Sequence, residues 1–159
     1  MKNIKKIISL LLAALALAAL LAGCGGSKVK DVPVSELSDK VAAALGKSDM
    51  EAIPDNYVKG YLRHEPSELG DYAILKNVMG TSIDEFGIFK AGTMTADQLK
   101  TMIEDYLKVL QDSWMNYQPE EKPKLDGAEI KVVGDYVMYA ILSDADKETA
   151  FKAFESALK

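Results

Sequence analysis

Apolar positions along this chain fall into three regimes. From Ile7 to Ala22 they are continuous, relieved only by Ser9. From Gly25 to Asp31 they thin into a stretch rich in Gly, Ser and Lys, which reads as a flexible spacer. From Pro33 onward they become periodic, and the periods predict the elements of one folded domain. Leu37, Val41, Ala44 and Leu45 share a face of a helix that Ser35 can cap and Gly46 ends. Lys47-Ser48-Asp49 reads as a turn. Pro54 to His64 predicts a short second helix with Tyr57 and Tyr61 one turn apart on the same face. Glu65 to Gly70 reads as a loop.

Two hairpins and two longer helices follow. Tyr72–Met79 and Ile83–Ala91 are strand-like runs around Gly80-Thr81-Ser82. Thr95 with Gln98 is a capping box. The helix it opens carries Leu99, Met102, Ile103, Tyr106, Leu110 and Trp114 on one stripe. After a charged, proline-bearing connector, Tyr117–Asp126, the runs Glu129–Val133 and Tyr136–Leu142 flank Gly134-Asp135, a strong hairpin signal. The second of these runs is apolar on both faces, which predicts a central strand covered on both sides. Ser143 or Asp144 caps a last helix with Ala150, Phe151, Phe154, Ala157 and Leu158 facing inward. The expected fold is α+β: a four-stranded antiparallel sheet from two hairpins in ββα-ββα order, helices packed on it, and a helix in front.

The first regime carries a different message. Lys2, Lys5 and Lys6 precede the apolar run, and Leu21-Ala22-Gly23-Cys24 closes it. The run is short for a membrane span, which takes about 20 residues. Small residues before the cysteine admit a peptidase. This looks like the signal peptide and lipobox of a bacterial lipoprotein. The resemblance implies lipidation of Cys24 with diacylglycerol and further acylation, palmitate being one such chain, and cleavage in front of it. Two or more chains give stable anchoring where one gives marginal binding. The expected organisation is a leader over 1–23, a tether over 24–32 and a single domain over 33–159. Cys24 is the only cysteine, so a lipidated chain has no thiol left for a nucleophile, a metal or a disulfide.

Charge narrows the partners. The whole chain carries a net charge of −5, and loss of the three leader lysines makes the remainder more acidic. Such a surface disfavours nucleic acid. Arg63 is the only arginine, so forked recognition of phosphate or carboxylate is poorly supplied.

The stretch Asp84-Glu85-Phe86-Gly87-Ile88-Phe89-Lys90 precedes the long amphipathic helix. Tyr117-Gln118-Pro119-Glu120-Glu121 follows that helix, and Gly134-Asp135-Tyr136-Val137 leads into the apolar strand and Asp144. On these motifs the chain resembles a family of uncharacterised bacterial lipoproteins, those with domain of unknown function 4358. The resemblance brings no catalytic or binding residues. It implies a Gram-positive plasma membrane as the anchoring surface and an association with envelope O-acyltransferase systems.

Candidate chemistry is sparse. His64, the sole histidine, sits in Arg63-His64-Glu65-Pro66 with no local nucleophile or orienting partner, which reads as an exposed histidine without a catalytic task. No Gly-x-Ser-x-Gly elbow exposes a serine. Asp144, Asp146 and Glu148, with Glu155 twelfth from Asp144, echo a calcium loop. Thr149 stands where that loop needs its turning glycine, and the segment also reads as a helix. Asp84 and Glu85 are neighbours on a strand, so they point to opposite faces and do not form a catalytic pair; Glu85 can point into a pocket and meet Lys90, or belong to a surface or cross-strand ion pair of little net value. Tyr57, Tyr61, Trp114 and Tyr117 suit a sugar-binding patch or the core, and burial of large aromatics favours the core. No P-loop, dinucleotide or zinc-helix motif occurs, so no metal, cofactor or catalytic residue is expected.

The reading that follows is a monomeric, lipid-anchored component of the cell envelope on the extracytoplasmic face of the membrane. Its expected work is non-enzymatic binding of an envelope protein or glycan. The alternatives are a carboxylate-dependent envelope hydrolase and a small-ligand receptor.

Overall fold

A computed structural model describes residues 29–113 and 118–159. The leader, Cys24 and most of the expected tether lie outside the described residues, as do Trp114 and Tyr117. In chain order the elements are α1 (Val34–Leu45), β1 (Met50–Ala52), α2 (Asp55–Leu62), α3 (Pro66–Leu69), β2 (Asp71–Asn77), β3 (Glu85–Lys90), α4 (Ala96–Ser113), α5 (Lys122–Asp126), β4 (Glu129–Val133), β5 (Tyr136–Ile141) and α6 (Asp144–Leu158).

The α+β class holds, with two corrections to the sheet. It has five strands in the order β1-β2-β3-β5-β4, every neighbouring pair antiparallel. The two hairpins join through β3 and β5, with Gly87 opposite Tyr139. The added edge strand β1 pairs Met50 with Asn77 and Ala52 with Leu75. Three residues are too few for an alternation to be read as a strand, and β-preference of this kind is conferred by the neighbouring strand. The element order is correspondingly richer than two ββα units. Glu65–Gly70, expected as a loop, contains α3: Glu65 and Glu68 form a reciprocal capping box around Pro66 at the first helical position.

Helices cover both faces of the sheet. One face carries Ile74, Phe89, Val137, Tyr139 and Ile141 against Val58 of α2, Leu69 of α3, Leu99, Ile103 and Leu110 of α4, and Leu125 of α5. The other carries Phe86, Ile88, Met138 and Ala140 against Leu37 and Val41 of α1 and Phe151, Phe154 and Leu158 of α6. All six residues of β5 are buried, as the two-faced apolar run predicted.

The caps are partly as read. Thr95 and Gln98 bond reciprocally, with Thr95 N–H donating to Gln98 Oε1 at 2.9 Å and Gln98 N–H to Thr95 Oγ1 at 3.2 Å. Ser143 caps α6 by accepting from the Asp146 N–H. Ser35 does not cap α1. Pro33 occupies the N-cap position, and the Val34 N–H donates instead to Asp71 Oδ2 at 3.1 Å, from the start of β2. A tertiary carboxylate has replaced the local cap.

Candidate functional site

The chemistry of this domain concentrates at the start of β3. Strand alternation sends Glu85 to the α4 face, and its side chain is 1% exposed. Register places Lys76 directly across on β2 and puts Tyr139 two pairs further along on β5, on the same face and opposite Gly87. A Cβ on Gly87 would stand 2.3 Å from Tyr139 Cε1, so the glycine is the slot in which the tyrosine ring lies. From that slot Tyr139 donates its hydroxyl to Glu85 Oε1 at 2.6 Å. Tyr106, on the inward stripe of α4, donates to the same oxygen at 2.7 Å. Burial, and then the adjoining Glu85 charge, push both phenols well above their ordinary pKa.

Glu85 Oε2 has no hydrogen-bond partner, and the Lys76 ammonium lies 3.6 Å away. Lys76 does not reach inward to bond it. It donates to Tyr57 Oη at 2.7 Å and sits over the rings of Tyr57 and Tyr61, 5.3 and 5.9 Å from their centroids. Tyr57 and Tyr61 stack at 4.0 Å, and Tyr61 meets Tyr106 edge-on at 6.5 Å. A continuous chain of rings thus runs from the buried carboxylate to the surface. Lys90, the expected partner of Glu85, lies at the other end of β3 and pairs with Asp31 at 2.5 Å. An antiparallel partner across the ladder is closer than a residue five positions along the same strand.

The rings surface in a groove of about 370 Å³ between α2 and α4. Tyr61, Arg63, His64, Met102, Asp105 and Val109 are among its lining residues. Tyr61 is 44% exposed and Val109 43%. Arg63 holds a left-handed φ of 58° at the C-cap of α2, which turns the chain so that His64 follows on the groove rim. His64 Nδ1 is 3.2 Å from Glu68 Oε2.

Asp84 faces the opposite way into a cluster of charges. Lys47, from the turn after α1, meets its Oδ2 at 2.5 Å, and Lys124 of α5 meets Oδ1 at 2.8 Å. Lys124 also meets Glu121 Oε2 at 2.8 Å, and Lys47 meets Asp146 Oδ2 at 3.1 Å. Glu121 Oε2 accepts from Ser82 Oγ and from the Ile83 N–H, which fastens the β2–β3 turn to α5. Burial works against the charge of Asp84, yet the hydrogen bonds from Lys124, Lys47 and Ser82 outweigh it and hold the carboxyl below its ordinary value. Glu121 is held low in the same manner, by Lys124, the Ile83 N–H and Ser82 against burial.

The remaining sequence candidates are dispersed. Asp144 is fully exposed at the start of α6, and Glu155 pairs with Lys131 at 2.7 Å near its end. Eleven helical steps separate the two by about 16 Å, so they cannot share a calcium ion. Among the described residues no group of three or more His, Cys, Asp or Glu side chains could hold a metal ion. Tyr57 is half-buried and Tyr61 exposed, against the expectation that both belong to the core. Sequence reasoning singled out Asp84, Glu85 and His64 but missed Lys47 and Lys124 as partners of Asp84, Lys76, Tyr106 and Tyr139 as partners of Glu85, and Glu68 beside His64. The readable signal was Gly87, a residue without side chain in the middle of an otherwise apolar buried strand.

Residues 43–142 match the model of the family described as Domain of unknown function (DUF4358), and the chain belongs to that family. No curated protein and no solved structure matches the chain.

Proposed function

We propose that this member of the family is a lipid-anchored component of the cell envelope, held through Cys24 on the extracytoplasmic face, that binds a partner through the groove between α2 and α4. The observation that carries the reading is the placement of Tyr61. Its ring is stacked, held by Lys76 and Tyr106, and still exposed over somewhat less than half its surface beside Arg63, His64 and Asp105. A rigid aromatic face with hydrogen-bonding neighbours suits a glycan or an envelope protein, since it offers contact area at little conformational cost. The two buried carboxylates point to opposite faces of the sheet and do not converge on one cleft, which disfavours a carboxylate-dependent hydrolase. The groove's volume falls within the range of small-molecule sites, so a small-ligand receptor is the second reading.

Two measurements test this. Intact-mass spectrometry of protein extracted from membranes is expected to show a chain beginning at an acylated Cys24; a free thiol or a retained Met1 overturns the anchor. A photo-crosslinking residue at Tyr61, compared with one at the exposed Val132 of β4, is expected to capture a membrane protein or wall polymer in intact cells. Equal capture at both positions, or none at Tyr61, overturns the groove as the binding site.

A further inference from the structure

The first described residues do not leave the domain freely. The Lys30 N–H donates to the Leu158 carbonyl at 2.9 Å, at the end of α6. The Val32 N–H donates to Tyr136 Oη at 2.9 Å, and the Tyr136 hydroxyl lies within donating distance of both the Val32 carbonyl, at 2.8 Å, and Asp31 Oδ1, at 3.1 Å. Asp31 is also paired with Lys90. Val29 lies against Gly134, where an added Cβ would come 2.9 Å from Val29 Cγ2. Residues 29–32 are therefore strapped across one end of the sheet, the end formed by Lys90, Gly134 and Tyr136.

We infer that this strap fixes how the domain stands on the membrane: the end bearing Gly134 and Lys90 faces the lipid headgroups, and the β2–β3 turn points away. The inference rests on Cys24 being the anchor. Val29 follows Cys24 by five residues, which reach at most about 17 Å when fully extended. From Asp71, which pairs with Lys90 at the strapped end, the six steps of β2 to Asn77 rise about 20 Å toward the other end. A tether of that reach cannot invert the domain, with the far end on the bilayer and the strapped end uppermost, while the strap stays docked. The charged side chains around the strap, Lys30, Lys90 and Lys159 with Asp31, Asp71 and Asp135, balance, so no net side-chain charge there pulls toward or away from headgroups, and the orientation is set by the tether rather than by electrostatics. The far end carries the most exposed apolar pair of the described domain, Val78 at 49% and Met79 at 69%.

The chain from Cys24 onward, coupled through its only thiol to a maleimide lipid in nanodiscs doped with a paramagnetic lipid, reads this directly by amide NMR. Signal loss is expected at Gly92 and Gly134, with Met79 and Ser82 unaffected and the pattern unchanged by salt. Uniform loss, or loss centred on Val78 and Met79, overturns the orientation. Tyr136→Phe keeps the buried ring and removes the hydroxyl, and is expected to spread the loss over the whole domain while the spectrum stays folded. A pattern still confined to Gly92 and Gly134 in that variant overturns the role given to the strap. Because the lipid is attached chemically, these outcomes are independent of whether cells acylate Cys24, which the intact mass decides separately.

Discussion

Asp84 and Glu85 are adjacent in the chain and both buried, yet they are stabilised by opposite chemistries. Asp84 lies at the end of the sheet, where Lys47 and Lys124 bring two ammonium groups to within 2.5 and 2.8 Å from segments distant in sequence. Glu85 lies inside the layer beneath α4, where two neutral phenols donate to one oxygen and the nearest cation stands at 3.6 Å. The difference follows from access. A lysine can bury its stem along the rim and keep its head partly in water. Deeper in, only a residue that is apolar along its length and polar at its tip can deliver a donor without stranding a charge, and tyrosine is that residue. The rim cluster ties loops together. The phenol cluster fastens a helix to the sheet.

The largest expected effect comes from Gly87→Ala. The added methyl displaces the Tyr139 ring from its slot and withdraws one of the two donors from Glu85. Overpacking and the lost hydrogen bond to a charge together cost about 3 kcal/mol in urea unfolding. Tyr139→Leu in the same background is expected to recover part of that loss. A cost under about 0.5 kcal/mol for Gly87→Ala means that the ring is not seated on β3 and the phenol cluster is misassigned.

Asp84→Asn comes next, at about 2 kcal/mol, because Lys47 and Lys124 keep Asp146 and Glu121 as alternative partners and are themselves partly exposed. Its signature is in the pH dependence. Asp84 and Glu121 are held below their ordinary values of 3.8 and 4.5. Their contribution is complete above those values and is lost as pH falls through the lower folded-state ones. Asp84→Asn should therefore flatten the acid limb of a stability–pH profile. The phenol cluster acts at the other limb. Tyr106 and Tyr139 are raised above 10.0, so their contribution is complete below pH 10 and is lost as pH rises beyond it. Phenolate absorbance from these two residues should appear only together with unfolding. Its appearance while circular dichroism still reports a folded chain contradicts their burial.

The smallest effect is expected from Tyr106→Phe, about 1 kcal/mol, since Tyr139 still donates to the same Glu85 oxygen. This variant also removes the last hydroxyl between the groove and the buried carboxylate without altering the groove's apolar wall. A double-mutant cycle with Tyr139→Phe should show coupling greater than additivity, because the second loss leaves Glu85 with Lys76 alone. Additive losses indicate that the two phenols do not share one acceptor.

The long elements were legible because each buries one face over several turns or strand pairs. Repetition makes that signal readable in α4, α6 and the β4–β5 hairpin. The site was legible only in part. Asp84 and Glu85 could be assigned to opposite faces from alternation alone, but their partners come from β2, β5, α4, α5 and the turn after α1. No local pattern relates these segments. The expected contact of Glu85 with Lys90 fails because five strand positions put the two on opposite faces at opposite ends of β3, and the register supplies Lys76 instead.

By itself the sequence determined the succession of α1, α2, the β2–β3 hairpin, α4, the β4–β5 hairpin and α6, the burial of Tyr136–Ile141 on both faces, and membership of a family recognisable from short motifs around Asp84–Lys90 and Gly134–Val137. These depend on periods and turn residues, which act over a few positions. The tertiary structure alone decided that β3 and β5 lie side by side, that Met50–Ala52 becomes an edge strand, that Asp71 rather than Ser35 caps α1, and that Tyr61 is left exposed at a groove. Each of those outcomes compares the free energies of contacts between distant segments, and a one-dimensional pattern holds no term for which distant segments meet.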